Sequence, residues 1–337
     1  MMRRTVSFSK NATNIFLHVL TRCNLRCTHC YINPAQHGDG MLAPDTIERW
    51  LAALFHPKRP ANLILLGGEP TLHPQLDRVV ELVRNRGVAS VTIDTNGYLF
   101  NNILQKVDTK AVDFFSFSLD GATAERNDAI RGPGSFAACT AGIRAAADKG
   151  FGVSLIYTVS TRNIDELALM PALLEQLPVQ RFFIQVIGLR GRSAAAKGPG
   201  PSSAALQVRE KKWKETVSST AARIAADGIA VTFPKVYLDD DEPFECAAVA
   251  SHNYFIFPNG RVYRCPLCED FPLHSLAFRD DRLVPTDPIN EWDLVQLEIP
   301  EGCVMNRLIQ PGNIRYRSDG RPAHRIACCL LKETFIP

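Results

Sequence analysis

The chain has 337 residues, 46% of them hydrophobic and 22% charged, with a formal net charge of +3. That is enough for a large domain plus a smaller one, and the small net charge gives no basis for a nucleic-acid or membrane-surface partner. No apolar run approaches the roughly 20 residues of a spanning helix, and the basic start Met1-Met2-Arg3-Arg4 is followed by no apolar core. Neither insertion into a membrane nor export is expected. Ten cysteines in such a chain point to metal ligands or free thiols in the reducing cytoplasm, not to disulfides.

The first strand-like run, residues 14–20, leads directly into Cys23-Asn24-Leu25-Arg26-Cys27-Thr28-His29-Cys30-Tyr31. An extended strand cannot turn three thiolates onto one small group, but a short loop can. Thiolates are soft ligands that select iron–sulfur clusters, zinc or Cu(I). Structural zinc closes its tetrahedron with a fourth ligand, and His29, squeezed between Cys27 and Cys30, fits that role awkwardly. Three ligands instead leave one corner of a [4Fe–4S] cube open to a cofactor or substrate.

Residues 45–55 read as a helix with Trp50, Leu51 and Leu54 on one face. Further strand-like runs follow at 63–66, 90–93, 114–117, 153–157 and 182–186, apolar and β-branched or aromatic as in buried parallel strands. Helix-like stretches at 75–86, 136–149 and 164–176 lie between them. Six strands over residues 14–188 give a repeat of about 29 residues, close to one βαβ unit. The expected class is therefore α/β, a partial (β/α)6 TIM-like barrel.

In such barrels the chemistry sits on loops after the strands' C-terminal ends. Gly67-Gly68-Glu69-Pro70 follows the second strand, Asp94-Thr95-Asn96-Gly97 the third, and Ser118-Leu119-Asp120-Gly121 the fourth. The glycines let backbone approach a ligand, Glu69 can accept from an ammonium group, and Arg131 can grip a carboxylate. A lone Asn-Gly or Asp-Gly is ordinary turn chemistry. Three successive strand ends behind a thiolate loop are not.

The C-x3-C-x2-C loop with these strand ends resembles the radical SAM superfamily. The resemblance implies a [4Fe–4S] cluster on Cys23, Cys27 and Cys30 whose open iron binds S-adenosylmethionine (SAM). It implies that Gly67, Gly68 and Glu69 hold the SAM amino group, and that Asn96, Ser118, Asp120 and Arg131 meet ribose or carboxylate. Tyr31 and His29 would wall the adenine. An electron donor such as flavodoxin or ferredoxin is implied as a partner.

Past the sixth strand, residues 188–205 are rich in Gly, Ala, Ser and Pro and read as a flexible connection. Residues 206–227 read as an amphipathic helix. Tyr254 to Tyr263, centred on Asn259-Gly260, carries a strong hairpin signal that brings Cys246 and Cys265 towards each other. The spacing of Cys246, Gly260 and Cys265 resembles the opening of SPASM/twitch extensions, which carry auxiliary iron–sulfur clusters, although the dense cysteine run of a full SPASM domain is missing. For Cys246, Cys265 and Cys268, an auxiliary cluster, a zinc site and a thiolate site for substrate all stay open. The expected organisation is a barrel over 1–188, a connection and helix over 189–245, and a smaller cysteine-rich extension over 246–337. Cys139, among alanines in a helix, reads as a buried small residue.

Adjacent cysteines rarely bridge each other, so Cys328 and Cys329 are free thiols or ligands. With Cys303 as a third sulfur they would suit a trigonal thiophile. The ending Cys328-Cys329-Leu330-Leu331-Lys332-Glu333 resembles that of radical SAM enzymes of arsinothricin biosynthesis. That implies transfer of the 3-amino-3-carboxypropyl group of SAM to trivalent arsenic, with arsenite as the small-molecule substrate. The alternative is maturation of a ribosomal peptide or a cofactor precursor through a 5′-deoxyadenosyl radical.

Overall fold

The computed structural model describes residues 2–6, 8–194 and 206–337, so most of the stretch expected to be a flexible connection lies outside the described residues. The described residues form one 13-stranded sheet. In chain order its strands are β1 (Met2–Val6), β2 (Thr13–Leu20), β3 (Ala61–Gly67), β4 (Ser90–Thr95), β5 (Phe114–Ser118), β6 (Gly152–Val159) and β7 (Arg181–Val186). They continue as β8 (Ala230–Pro234), β9 (His252–Ile256), β10 (Arg261–Tyr263), β11 (Leu276–Arg279), β12 (Arg282–Pro285) and β13 (Lys332–Ile336).

Strands β2 to β7 are the six expected from sequence, parallel and side by side in chain order. The parallel array does not stop there. β8 pairs parallel to β7 and β9 parallel to β2, so the segments read as a connection and an extension both add to the barrel wall. A six-stranded sheet would expose a row of unpaired N–H and C=O groups at each edge, which these strands cover. Antiparallel strands continue on both sides, β13 and then β1 beyond β8, and β10 to β12 beyond β9. The sheet remains open, ending at β1 and β12.

Period-two alternation divides the two faces. Ile15, Leu17, Val19, Val91, Ile93, Phe115, Phe117, Val153 and Leu155 are fully buried in the main apolar core. Phe16, His18, Asp94, Ile156 and Thr158 instead border an internal cavity. Helices Pro44–Ala52, Leu76–Asn85, Ser135–Asp148 and Glu210–Ala226 correspond to the expected ones. The expected helix at 164–176 is two short ones, Ile164–Leu167 and Met170–Leu174, because Pro171 has no N–H to continue the first. Among the described residues no helix is long and apolar enough to cross a membrane.

The hairpin around Gly260 forms as read, and it sets Phe257 between two imidazoles. His18 and His37 stack on its ring at centroid distances of 3.9 Å each. His18 is also 2.9 Å from the Ile256 carbonyl and 2.6 Å from the Tyr31 hydroxyl. Burial, foremost among the causes, lowers His18 to about 3 and His37 to about 4. Both are depressed in the folded chain, so the unfolded chain takes up more protons below the usual histidine value. The two histidines' contribution is complete above about pH 6.5 and is lost as pH falls towards those folded values. Measured by denaturant titration at pH 7 and pH 5, the change in stability on going to pH 5 should be more favourable in His37→Asn than in the wild-type protein. An unchanged difference in the variant would contradict this account.

Candidate active site

The C-terminal strand ends and the cysteine-rich region enclose a cavity of about 350 Å³. Cys23, Cys27 and Cys30 border it together with Gly67, Gly68, Glu69, Asn96, Ser118, Arg131, Tyr31 and Cys329. A larger hollow of about 540 Å³ near His56 and Arg86 lies at the opposite strand ends and gathers no thiols.

The cysteine loop is braced from three directions. From β3, the Gly68 and Glu69 N–H groups donate to the Leu20 and Arg22 carbonyls at 3.0 Å each. A Cβ on Gly68 would collide with the Arg22 carbonyl oxygen, so this approach requires glycine. From the helix Ala124–Arg131, the Ile130 carbonyl accepts from the Thr28 N–H at 2.9 Å. From beyond β7, the Arg192 N–H donates to the Cys30 carbonyl at 2.9 Å, and Gly191 packs on the same carbonyl with φ +52°.

Glu69 is the most constrained acid of the site. Its Oε1 accepts from the Thr71 N–H (3.1 Å), the Thr71 hydroxyl (2.6 Å) and the Thr95 hydroxyl (2.8 Å). Its Oε2 accepts from the Asn96 N–H at 2.7 Å. A carboxylate offers about four acceptor sites, so one on Oε2 remains for an ammonium group. Burial raises the Glu69 pKa, and these hydrogen bonds oppose the rise. Asn96 in turn donates from Nδ2 to Asn24 Oδ1 at 2.8 Å, tying β4 to the cysteine loop.

Asp120 occupies a different place from the ribose-facing one expected. It is fully buried and does not border the cavity. Its Oδ2 lies 2.6 Å from Arg131 Nε and 3.2 Å from His29 Nε2, while Oδ1 accepts from the Thr158 N–H at 2.7 Å. The Arg131 Nε contact is an ion pair without hydrogen-bond geometry. Asp120 thus acts as the counter-ion behind Arg131, which does border the cavity. His29 also borders the cavity, but its Nε2 is directed at Asp120, which weakens the zinc reading of the loop. Among the described residues no group of His, Cys, Asp and Glu is arranged to hold a single metal ion. Tyr31 packs beneath the Arg190 guanidinium, 5.1 Å from its ring centroid, and Ser118 lies at the cavity wall.

The remaining thiols extend inward from the cavity. Cys329 borders it, whereas Cys303, Cys328, Cys265 and Cys268 are buried. Cys328 lies close enough to Cys246 and Cys329, and Cys265 to Cys268, for their thiols to interact. Contact with Cys328, followed by burial, pushes the Cys246 thiol up. Cys246 is thus a further thiol beside Cys328 that the sequence reading did not pair with it. Cys303 lies close enough to Cys265 and Cys328 to interact electrostatically. Cys139 is fully buried, as read.

Among the other cavity groups, Arg190, Glu269 and Gln185 carried no sequence signal of a site. Arg190 pairs with Glu269 at 2.7 Å and also bonds the Pro266 carbonyl, linking the end of β7 to the cysteine-rich region. Burial raises Asp94 to about 7 and Glu269 to about 7. Gln185 and Lys332 also border the cavity. Gln185 lies inside a strand-like run, and only the pairing of strands shows which face it occupies, whereas Asp94 belongs to the strand-end motif read from the sequence.

This barrel with its thiolate loop defines a class. Residues 17–171 match the Radical SAM superfamily. Over 190 residues the chain is 31% identical to the GTP 3′,8-cyclase of Edwardsiella ictaluri (strain 93-146), covering 54% of this chain and 57% of that protein. Over 276 residues it is 28% identical to mycofactocin maturase MftC of Mycobacterium ulcerans (strain Agy99), covering 75% and 67%. Among solved structures, Streptococcus suis SuiB bound to precursor peptide SuiA aligns at a TM-score of 0.62 and 13% identity, over 77% of this chain and 60% of that one. That last likeness is one of fold. The chain spans about half the length of several curated relatives it matches.

The superfamily uses a [4Fe–4S] cluster and SAM, and SPASM-type relatives carry auxiliary clusters. The residues present fit the first cluster. Three mutually interacting thiols border one cavity, and the Leu25 N–H already donates to Cys23 Sγ at 3.3 Å. Burial raises Cys23 to about 11, a thiol that gives up its proton on binding metal. Glu69→Gln replaces one acceptor oxygen with a donor and breaks at least one of four internal bonds. Glu69→Gln and Arg131→Met should each weaken SAM binding by about 10- to 100-fold, equivalent to roughly 1.5–3 kcal/mol, with loop-bound iron retained. Titration of SAM into reconstituted protein measures this, and unchanged affinity in both variants would displace the SAM site.

Proposed function

We propose that this chain is a radical SAM enzyme that transfers the 3-amino-3-carboxypropyl group of SAM to trivalent arsenic, as in arsinothricin-type biosynthesis. What supports this reading is the position of Cys329, which borders the same cavity as the cysteine loop and continues through Cys328 to Cys246. One soft donor at the cavity wall with two more thiols behind it suits a trigonal thiophile. Cys23, Cys27 and Cys30 would hold the cluster, which supplies the electron that cleaves a carbon–sulfur bond of SAM. Gly67, Gly68 and Glu69 would hold the SAM amino group, and Arg131, backed by Asp120, its carboxylate. Fixing that end against the loop decides which carbon–sulfur bond faces the cluster.

The comparisons favour a second reading. The relatives include a GTP cyclase and a maturase, and SuiB is seen with a precursor peptide. On this reading SAM is cleaved on its adenosine side, and hydrogen is removed from a peptide or cofactor precursor in the same cavity. Cys246, Cys265, Cys268 and Cys303 would then serve an auxiliary cluster.

Chromatography of an anaerobic reaction containing SAM, reductant and arsenite separates the two. Methylthioadenosine and a carbon–arsenic product are expected, and Cys329→Ala should lose that product while keeping the loop's iron. Only 5′-deoxyadenosine, with arsenite unconsumed, would overturn the arsenic reading in favour of maturation.

A further inference from the structure

The strand registers place three polar side chains in one row across the cavity wall. Thr158 on β6 pairs with Gln185 on β7. Phe183 on β7 pairs with Thr232 on β8, the last pair of that register, so Gln185, two residues further along β7, lies towards the Pro234 end of β8. Pro234 pairs with Lys332 on β13. Residues paired across neighbouring strands point to the same face, and all four of these border the cavity.

Each polar end in this row has donors to spare. Gln185 is exposed in mid-sheet because it faces the cavity, and its amide makes no hydrogen bond among the described residues. The Lys332 ammonium donates to the Cys329 carbonyl at 2.9 Å, which leaves two of its three donors open. Among the described residues no carboxylate pairs with it. The cavity's acids are otherwise engaged or neutralised, with Glu69 bonded to Thr71, Thr95 and Asn96, Glu269 paired with Arg190, and Asp94 raised to about 7 by burial beside Ser116. A half-buried ammonium without a counter-ion is costly, and its free energy falls when an anion arrives. Burial correspondingly lowers the Lys332 pKa, with only the thiols of Cys329 and Cys328 opposing.

We propose that Lys332, Gln185 and Thr158 form an anion-binding row that holds a carboxylate or oxyanion group of the substrate across the cavity from the cysteine loop. The row is not placed to hold the carboxylate of SAM. The Gly67-Gly68 turn follows β3, and five strands separate β3 from β13 in the sheet. The proposal rests on the radical SAM reading of the cavity and not on which substrate is modified. It makes Lys332 a specificity-determining residue.

The test is calorimetric titration of glutarate and of inorganic phosphate into cluster-loaded, SAM-saturated protein. At least one anion should bind the wild-type protein. Its affinity should fall by about tenfold or more in Lys332→Met and in Gln185→Leu, and be largely kept in Lys332→Arg, as for a charge-assisted bond. SAM affinity should stay unchanged in all three. Gln185→Leu tests the row independently should Lys332→Met fold poorly. Binding of neither anion, or equal binding in both variants, would overturn the proposal. So would a parallel loss of SAM affinity, which would place SAM's own carboxylate on Lys332. The titration uses neither arsenite nor turnover, so failure of the arsenic reading leaves it intact.

Discussion

One buried carboxylate holds the functional end of this barrel together. Glu69 leaves β3 and takes hydrogen bonds from its own turn at Thr71 and from the end of β4 at Thr95 and Asn96. Its backbone N–H meanwhile grips the start of the cysteine loop at Arg22. Three separate chain segments are thus fixed by one residue in a site sheltered from water, where a satisfied polar network is rigid and an unsatisfied one costly. The cysteine loop carries no regular structure of its own, so its thiols are as well placed as these braces allow.

The far wall depends on a different constraint, the return of the chain's last strand. β13 enters between β1 and β8, with an Arg3–Glu333 ion pair of 2.7 Å on the β1 side. That insertion carries Cys329 and Lys332 to the cavity and leaves Cys328 buried behind them, beside Cys246. The site is therefore two-sided. Cofactor-directed groups come from the first half of the chain, and thiols and an ammonium group come from its end.

Much of the first side was legible in the sequence because it is local. Each parallel strand is a short apolar run, and each functional turn follows directly on its strand. Asn259-Gly260 likewise announced its hairpin. What sequence did not show is non-local. β8 has the same apolar character as its neighbours, but it begins only at Ala230, well past the end of β7 at Val186, and so falls outside the repeat of about 29 residues. Asp120 sits at a strand end as expected, yet nothing in Ser118-Leu119-Asp120-Gly121 says that its carboxylate turns away from the cavity to meet Arg131 and His29. Gln185 lies in an apolar run and Lys332 beside a Cys-Cys pair, and only the strand registers join them in one row. Cys246, more distant in sequence from the Cys-Cys pair than Cys303, joins it for the same non-local reason.

The account stands on the cysteine loop as the seat of a SAM-cleaving cluster. The most direct measurement is anaerobic SAM cleavage and iron content in protein carrying Cys23→Ala, Cys27→Ala and Cys30→Ala together. All SAM-derived products should vanish along with the SAM-sensitive part of the iron–sulfur absorption, while any iron held by the C-terminal thiols remains. SAM cleavage that survives the three substitutions would contradict the account.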